Sequence, residues 1–267
     1  MKQAFKDKVV WITGASSGIG EALAYALSAR GAKLILSSRR ENELERVKAN
    51  CQQPEQVKVL PLDLTDSAGL EAKVAVAIAL FGQVDIMVHN GGITQRSLVA
   101  DTDIEVHRRV MELDYFSYII LTKALLPHFL SRRSGHFVVT SSVMGKIGTP
   151  MRAAYAAAKH ALHGYFDCLR AEVSLQGIKV TVLTPGYIRT AIYQSAVTGD
   201  GGTFGAVSQE IDNGYPADKA AEQIVKAISK GTYEAYIGRL GEERLALFVN
   251  RFLPNLLIRM MPGREPK

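Results

Sequence analysis

The sequence predicts a single α/β domain: a doubly wound parallel sheet in a three-layer α/β/α arrangement. Two observations carry that expectation. Short aliphatic or β-branched runs alternate with helix-spaced segments from the start of the chain, and a glycine-rich turn joins the first run to the first helix. Length agrees, because 267 residues suffice for one large core without disulfide or metal staples.

Six runs, at 9–12, 33–36, 57–60, 84–88, 136–139 and 180–183, read as strands covered on both faces. Between them, Leu23 and Leu27 share one helical face, and Leu70, Val74, Ile78 and Phe81 share another. Strand–helix–strand alternation implies right-handed crossovers, with ligands at the carboxyl ends of the strands. The pattern loosens after Pro185. Residues 191–215 hold Gly199, Gly201, Gly202 and Gly205 and read as a mobile substrate lid. A helix is expected over 216–230, a short strand over 234–237, and an apolar tail over 241–267. No linker or internal repeat divides residues 1–267, so one domain is expected.

Composition narrows the function classes. Cys51 and Cys168 are the only cysteines and form no Cys-x-x-Cys pair, which argues for a reducing compartment and against a zinc site. The N-terminus shows no signal-peptide pattern, and no apolar run reaches the roughly 18 residues of a spanning helix. A cytoplasmic protein without a metal is expected. The net charge of +6 is scattered and not interleaved with aromatics, so nucleic acid is not an expected partner.

Thr13-Gly14-Ala15-Ser16-Ser17-Gly18-Ile19-Gly20 follows the first strand and opens a helix expected near Glu21. A pyrophosphate needs backbone N–H groups at a helix N-terminus and no side chains in its way. Gly14 permits the tight turn, while Gly18 and Gly20 permit close approach and packing. The spacing is Gly-x-x-x-Gly-x-Gly, not the common Gly-x-Gly-x-x-Gly. Its place between a strand and a helix favours a Rossmann-type dinucleotide site over an ordinary turn. A carboxylate after the second strand would favour NAD(H). Here Ser37-Ser38-Arg39-Arg40 stands instead, and Arg39 suits a 2′-phosphate, so NADP(H) is expected in preference to NAD(H). A solvated arginine pair is the plain alternative.

Tyr155 and Lys159 are four residues apart in an alanine-rich helical segment and so share one face. A free phenol ionises near pH ~10. A neighbouring ammonium favours phenolate and makes tyrosine useful for proton transfer. The pair alone is a frequent accident. It gains weight from Ser142, which ends a strand on the ligand-bearing edge, where a hydroxyl can stabilise charge on a substrate oxygen.

These motifs, with Asp63, His89-Asn90-Gly91-Gly92 and Pro185-Gly186, resemble the short-chain dehydrogenase/reductase family in order and spacing from about residue 8 to 190. The segment Thr184-Pro-Gly-Tyr-Ile-Arg-Thr190, the lid and the tail are similar to the non-extended, DHRS-type branch of membrane-associated and related bacterial reductases. The resemblance implies that Tyr155 is the general acid in reduction and base in oxidation. It implies that Lys159 lowers the phenol's pKa and holds the nicotinamide ribose, and that Ser142 polarises a carbonyl. Asp63 would meet the adenine, and Leu64, Asn90 and Gly91 would line the cofactor. Pro185, Gly186, Ile188 and Thr190 would contact the nicotinamide end, while Ser16, Ser17 and Arg39 would hold the 2′-phosphate. Gly14, Gly18, Ile19 and Gly20 complete the expected cofactor set.

Two departures from the family pattern stand out. His89-Asn90-Gly91-Gly92 replaces the usual Asn-Asn-Ala-Gly, and His89 is expected to be packed rather than catalytic. Asp114 stands where the family carries its fourth catalytic residue, an asparagine; it adds a charge near Lys159, and activity with an altered pH profile is expected. The resemblance also implies a homodimer or homotetramer formed through the helices bearing Asp114 and Tyr155. The tail, 245–261, reads either as a membrane-surface segment or as a helix packed on the cleft or a subunit, and Pro254 favours packing.

The expected function is hydride transfer between NADP(H) and a small carbonyl or alcohol. An isomerase or dehydratase on the same scaffold, or a non-catalytic nucleotide-binding regulator, are the rival classes. Ile192, Tyr193, Phe204 and Tyr215 suggest an apolar substrate pocket.

Overall fold

A computed structural model describes residues 2–205 and 213–260. Seven strands form one sheet: β1 (Val9–Thr13), β2 (Lys33–Ser37), β3 (Val57–Val59), β4 (Ile86–His89), β5 (Gly135–Thr140), β6 (Ile178–Pro185) and β7 (Glu234–Ile237). Their order is β3-β2-β1-β4-β5-β6-β7, and every pairing is parallel. The chain begins in the middle, winds out to β3, and crosses back to β4. The strand order therefore reverses between β1 and β4 and leaves a crevice beyond their carboxyl ends.

Period-two alternation sends side chains to two separate cores. Trp11, Met87, Phe137 and Val180 face one layer, made by α4 (Ser67–Phe81), α5 (Ile104–Met111), α6 (Ser117–Arg132) and α7 (Ala153–Val173). Ile12, Leu34, Val88 and Leu183 face the other, made by α2 (Gly18–Ser28), α3 (Glu41–Ala49) and α8 (Ala217–Lys230). This is the expected three-layer, doubly wound domain. A single turn, α1 (Lys2–Phe5), precedes β1, and α9 (Glu242–Phe252) and α10 (Pro254–Met260) follow β7.

The described part of the expected lid touches the rest of the domain at several points. Val197 bridges to Gln95 and to Thr203, Ile188 bridges to Tyr215, and Tyr193, Ala196 and Val197 are buried. Residues 206–212 of that segment, and 261–267 of the tail, lie outside the described residues.

Three histidines are buried in the domain as neutral rings. Burial pushes His89 and His136 down to about 3 and His163 down to about 4. An unfolded chain protonates these groups near pH ~6.5. Stability attributable to them is therefore complete above that pH and is lost on acidification toward the folded values, by up to ~1.4 kcal/mol per pH unit for each ring. His136 donates from Nε2 to the Thr181 hydroxyl, which itself donates to the Thr232 carbonyl. His136→Gln can keep that bond without titrating. Urea midpoints measured across this range are expected to show a pH slope flatter than wild type by about that one-ring amount; an unchanged slope would refute the assignment.

Candidate active site

Thr13 ends β1, and its hydroxyl accepts from the Asn90 and Gly91 N–H groups at 3.0 and 3.2 Å. The Asn90 amide donates back to the carbonyls of Thr13 and Gly14 at 3.2 and 3.3 Å. Strand ends β1 and β4 are thereby laced together at the crevice. Gly14 has φ +65°, and a Cβ there would come within 2.6 Å of Gly91 Cα. Gly18, at φ +60°, opens α2, three residues earlier than the sequence suggested. Ser17 precedes it in extended backbone with no side-chain cap, so the first helical N–H groups face the cavity uncapped by that hydroxyl.

A cavity of about 1120 Å³ runs along these strand ends. It brings together Gly14, Ser16, Ser17, Gly18, Ile19, Arg39, Asp63, Leu64, Asn90, Gly91, Asp114, Ser142, Tyr155, Lys159, Pro185, Gly186, Ile188 and Thr190, as expected from the sequence. Gly20 is the exception. It does not line the cavity, because it packs under the turn, where a Cβ would stand 2.3 Å from the Gly14 carbonyl oxygen. Phe204 and Tyr215 are also absent from the lining. Phe204 lies under the Arg96 guanidinium at 4.9 Å, and the Tyr215 hydroxyl accepts from Gln223.

At the β2 end of the cavity, Arg40 reaches back over the glycine turn and donates to the hydroxyls of Ser16 and Ser17 at 3.0 and 3.1 Å. The sequence reading chose Arg39 alone. Both arginines line the cavity. Burial pushes the Asp63 carboxyl up, but the Thr65 N–H and hydroxyl, with Arg39 nearby, outweigh it and hold the group below the usual carboxylate range.

At the other end, Ser142 sits just past β5 and accepts from the Met144 N–H at 3.1 Å, so its own proton remains available to a second acceptor. Tyr155 and Lys159 lie one turn apart on α7, and the Lys159 ammonium is 5.5 Å from the Tyr155 ring centre and 5.4 Å from that of Tyr118. Lys159 donates to the Thr140 carbonyl at 3.2 Å and pairs with Asp114 at 3.1 Å. The bond to Thr140 engages one of its three protons, and the contact with Asp114 is an ion pair.

Asp114 lies in a π-helical turn (Glu112–Phe116) between α5 and α6, fully buried, and its other oxygen accepts from the Ile93 N–H at 2.8 Å. Burial pushes this carboxyl up, and Lys159 restrains the rise. Burial alone would push Lys159 down. The Asp114 charge and the phenols of Tyr118 and Tyr155 reverse that, and the ammonium is held above its usual value. Tyr118, missed in the sequence, donates its hydroxyl to the Gly91 carbonyl at 3.0 Å. Its position four residues after Asp114 was the available signal. His89, by contrast, is a packed core histidine, stacked on Tyr118 with ring centres 4.8 Å apart and sharing a hydrogen bond with Thr122.

Sheet topology and the cavity at the strand-order reversal together define a Rossmann-type α/β fold with a ligand cleft at its strand ends. The family described as short chain dehydrogenase matches residues 8–201. Dehydrogenase/reductase SDR family member 7B of Mus musculus is 38% identical over all of this chain and 84% of its own length. A Drosophila melanogaster protein, Dehydrogenase/reductase SDR family protein 7-like, is 41% identical over 97% of this chain and 81% of its own length. A crystal structure of a short-chain dehydrogenase from Streptomyces avermitilis superposes with a TM-score of 0.81 at 30% identity, over 97% of this chain and 98% of that one. A short-chain dehydrogenase/reductase from Burkholderia phymatum, solved with NAD, has the same fold with a TM-score of 0.81 at 21% identity, over 99% of this chain and 98% of its own. The chain belongs to the short-chain dehydrogenase/reductase family.

Proposed function

We propose that this protein interconverts a carbonyl and its alcohol with NADP(H), using Tyr155 as the general acid and base. One observation carries the reading. A single cavity joins a glycine-rich turn at a helix N-terminus to a Ser142–Tyr155–Lys159 cluster. The turn fits a dinucleotide: Cβ atoms at Gly14 and Gly91 would close the gap between the strand ends. The uncapped first N–H groups of α2 would receive the pyrophosphate. When bound, the nicotinamide supplies or accepts hydride.

The chain's own residues handle the oxygen and the proton. In reduction, the Ser142 and Tyr155 hydroxyls donate to the substrate oxygen as negative charge develops there. Tyr155 then gives up its proton, and the Lys159 ammonium stabilises the phenolate left behind. Asp114, by charge, and the Thr140 carbonyl, by a hydrogen bond, hold that ammonium in place, where it would also donate to the ribose hydroxyls. Val143, Met144, Ile147, Ile192 and Tyr193 line the substrate end and suit an apolar carbonyl compound.

The preference for NADP(H) over NAD(H) rests on Arg39 and Arg40 beside the Ser16 and Ser17 hydroxyls, with no carboxylate at the end of β2. A phosphate there would draw the Arg40 fork from the two hydroxyls to itself. The double variant Arg39→Ala/Arg40→Ala is expected to weaken NADPH binding by roughly 10- to 100-fold, the value of charge-assisted hydrogen bonds, while NADH binding holds. Titration of both coenzymes by fluorescence decides it; equal losses would refute the assignment. Assembly as a homodimer or homotetramer through the helices bearing Asp114 and Tyr155 belongs to the same reading, supported by the exposed Phe116, whose ring meets Tyr115 edge-on, as Tyr115 in turn meets Tyr165 of α7. A cytoplasmic location is supported by the free thiols of Cys51 and Cys168.

A further inference from the structure

Half of the exposed large hydrophobic residues among those described, seven of fourteen, fall between Leu240 and Ile258. On α9, Leu245, Phe248 and Phe252 follow an i, i+3, i+7 spacing, so they form one outward stripe. Leu253, at the break before Pro254, is exposed next to it, and in α10 Leu256 and Ile258 are exposed on the two flanks of the buried Leu257. The opposite side of the same helices faces the protein. Ala246 and Leu257 line the cavity, and the Asn250 amide donates to the Lys146 carbonyl at 2.9 Å. The expected packing on the cleft is therefore made by one side of the described tail, and the other side is exposed.

We propose that the outward stripe docks this protein on an anionic lipid surface. Arg244, Arg251 and Arg259 are exposed beside the stripe, whereas Glu243 is turned inward, accepting from the Tyr187 N–H and the Tyr236 hydroxyl. Apolar residues flanked by arginines suit the boundary between acyl chains and acidic headgroups. A second copy is the poorer occupant, because a two-fold pairing sets this arginine-rimmed face against itself. Spanning is excluded for these helices by length: α9 has 11 residues and α10 has 7, against the roughly 20 that a bilayer core requires.

Flotation of the full-length protein with phosphatidylglycerol-containing vesicles, and with pure phosphatidylcholine vesicles, tests the proposal. Wild type is expected to float with the anionic vesicles, to be released by salt, and to bind the neutral ones weakly. Phe248→Glu/Phe252→Glu is expected to lose at least about tenfold in partitioning. It is also expected to keep its circular dichroism, coenzyme binding and sedimentation mass, since neither residue lines the cavity. Failure of wild type to float, equal flotation of the variant, or a variant whose oligomeric mass falls would each overturn it. The last result would make the stripe a contact between copies.

Discussion

Tyr155→Phe lowers kcat by roughly 10²- to 10⁴-fold and leaves coenzyme affinity near that of the wild type. The substitution deletes one hydroxyl and keeps the ring, so the packing of α7 and the 5.5 Å placement of Lys159 under that ring survive. Only the proton is lost. On the proposed mechanism Ser142 would still polarise the substrate oxygen and account for a residual rate, but no positioned acid would remain to neutralise the alkoxide. Stopped-flow reduction of an aliphatic or aromatic ketone, beside a binding titration with reduced coenzyme, separates the two quantities. A variant that turns over at the wild-type rate would remove Tyr155 from the mechanism. A variant that no longer binds coenzyme would make the tyrosine a binding residue instead.

The second large effect concerns the pair behind Tyr155. Lys159→Met leaves Asp114 as a fully buried carboxylate without its cation, a situation that costs about 3–5 kcal/mol. Turnover falls with it, because no charge remains to stabilise the phenolate. These two losses have different remedies. Lys159→Met/Asp114→Asn removes the orphaned charge while its amide oxygen can still accept from the Ile93 N–H, so stability recovers and turnover does not. Chemical denaturation and steady-state rates on the three proteins distinguish the stability effect from the catalytic one.

Asp114→Asn alone keeps activity but shifts its pH dependence. Lys159 loses the counter-charge that offsets its burial, its ammonium deprotonates at lower pH, and the alkaline limb of kcat moves down in pH. An unmoved alkaline limb would show that the Asp114 charge does not reach the reaction.

The sheet was legible in the sequence because a parallel strand covered on both sides must be apolar at nearly every position. Trp11, Met87 and Phe137 face one core and Ile12, Val88 and Val138 the other, which reads as an unbroken run. Most of the cavity was legible for a related reason: ligand-facing residues follow directly after strand ends. What escaped notice depended on the path of the chain through space. Arg40 bends back over the glycine turn, a motion that no spacing rule reports, while Arg39 was the obvious first cation after β2. Gly20 looked like its two neighbours in the motif, yet it serves the underside of the turn. The π-turn holding Asp114 leaves no local signature, and Tyr118 acquires its place only through that turn. The tail was recognisably apolar, but which side faced the protein depended on docking against the cavity rim.

The central claim is that a hydride crosses to a carbonyl carbon while Tyr155 supplies the proton. The direct test is turnover of a carbonyl substrate with reduced coenzyme carrying deuterium at the transferable nicotinamide C4 position, followed by mass spectrometry of the alcohol. One deuterium per product molecule, on the carbinol carbon, with one coenzyme oxidised per alcohol formed, is the predicted result. Product formed without coenzyme oxidation, or deuterium absent from that carbon, would contradict the account and favour isomerisation or dehydration on the same scaffold.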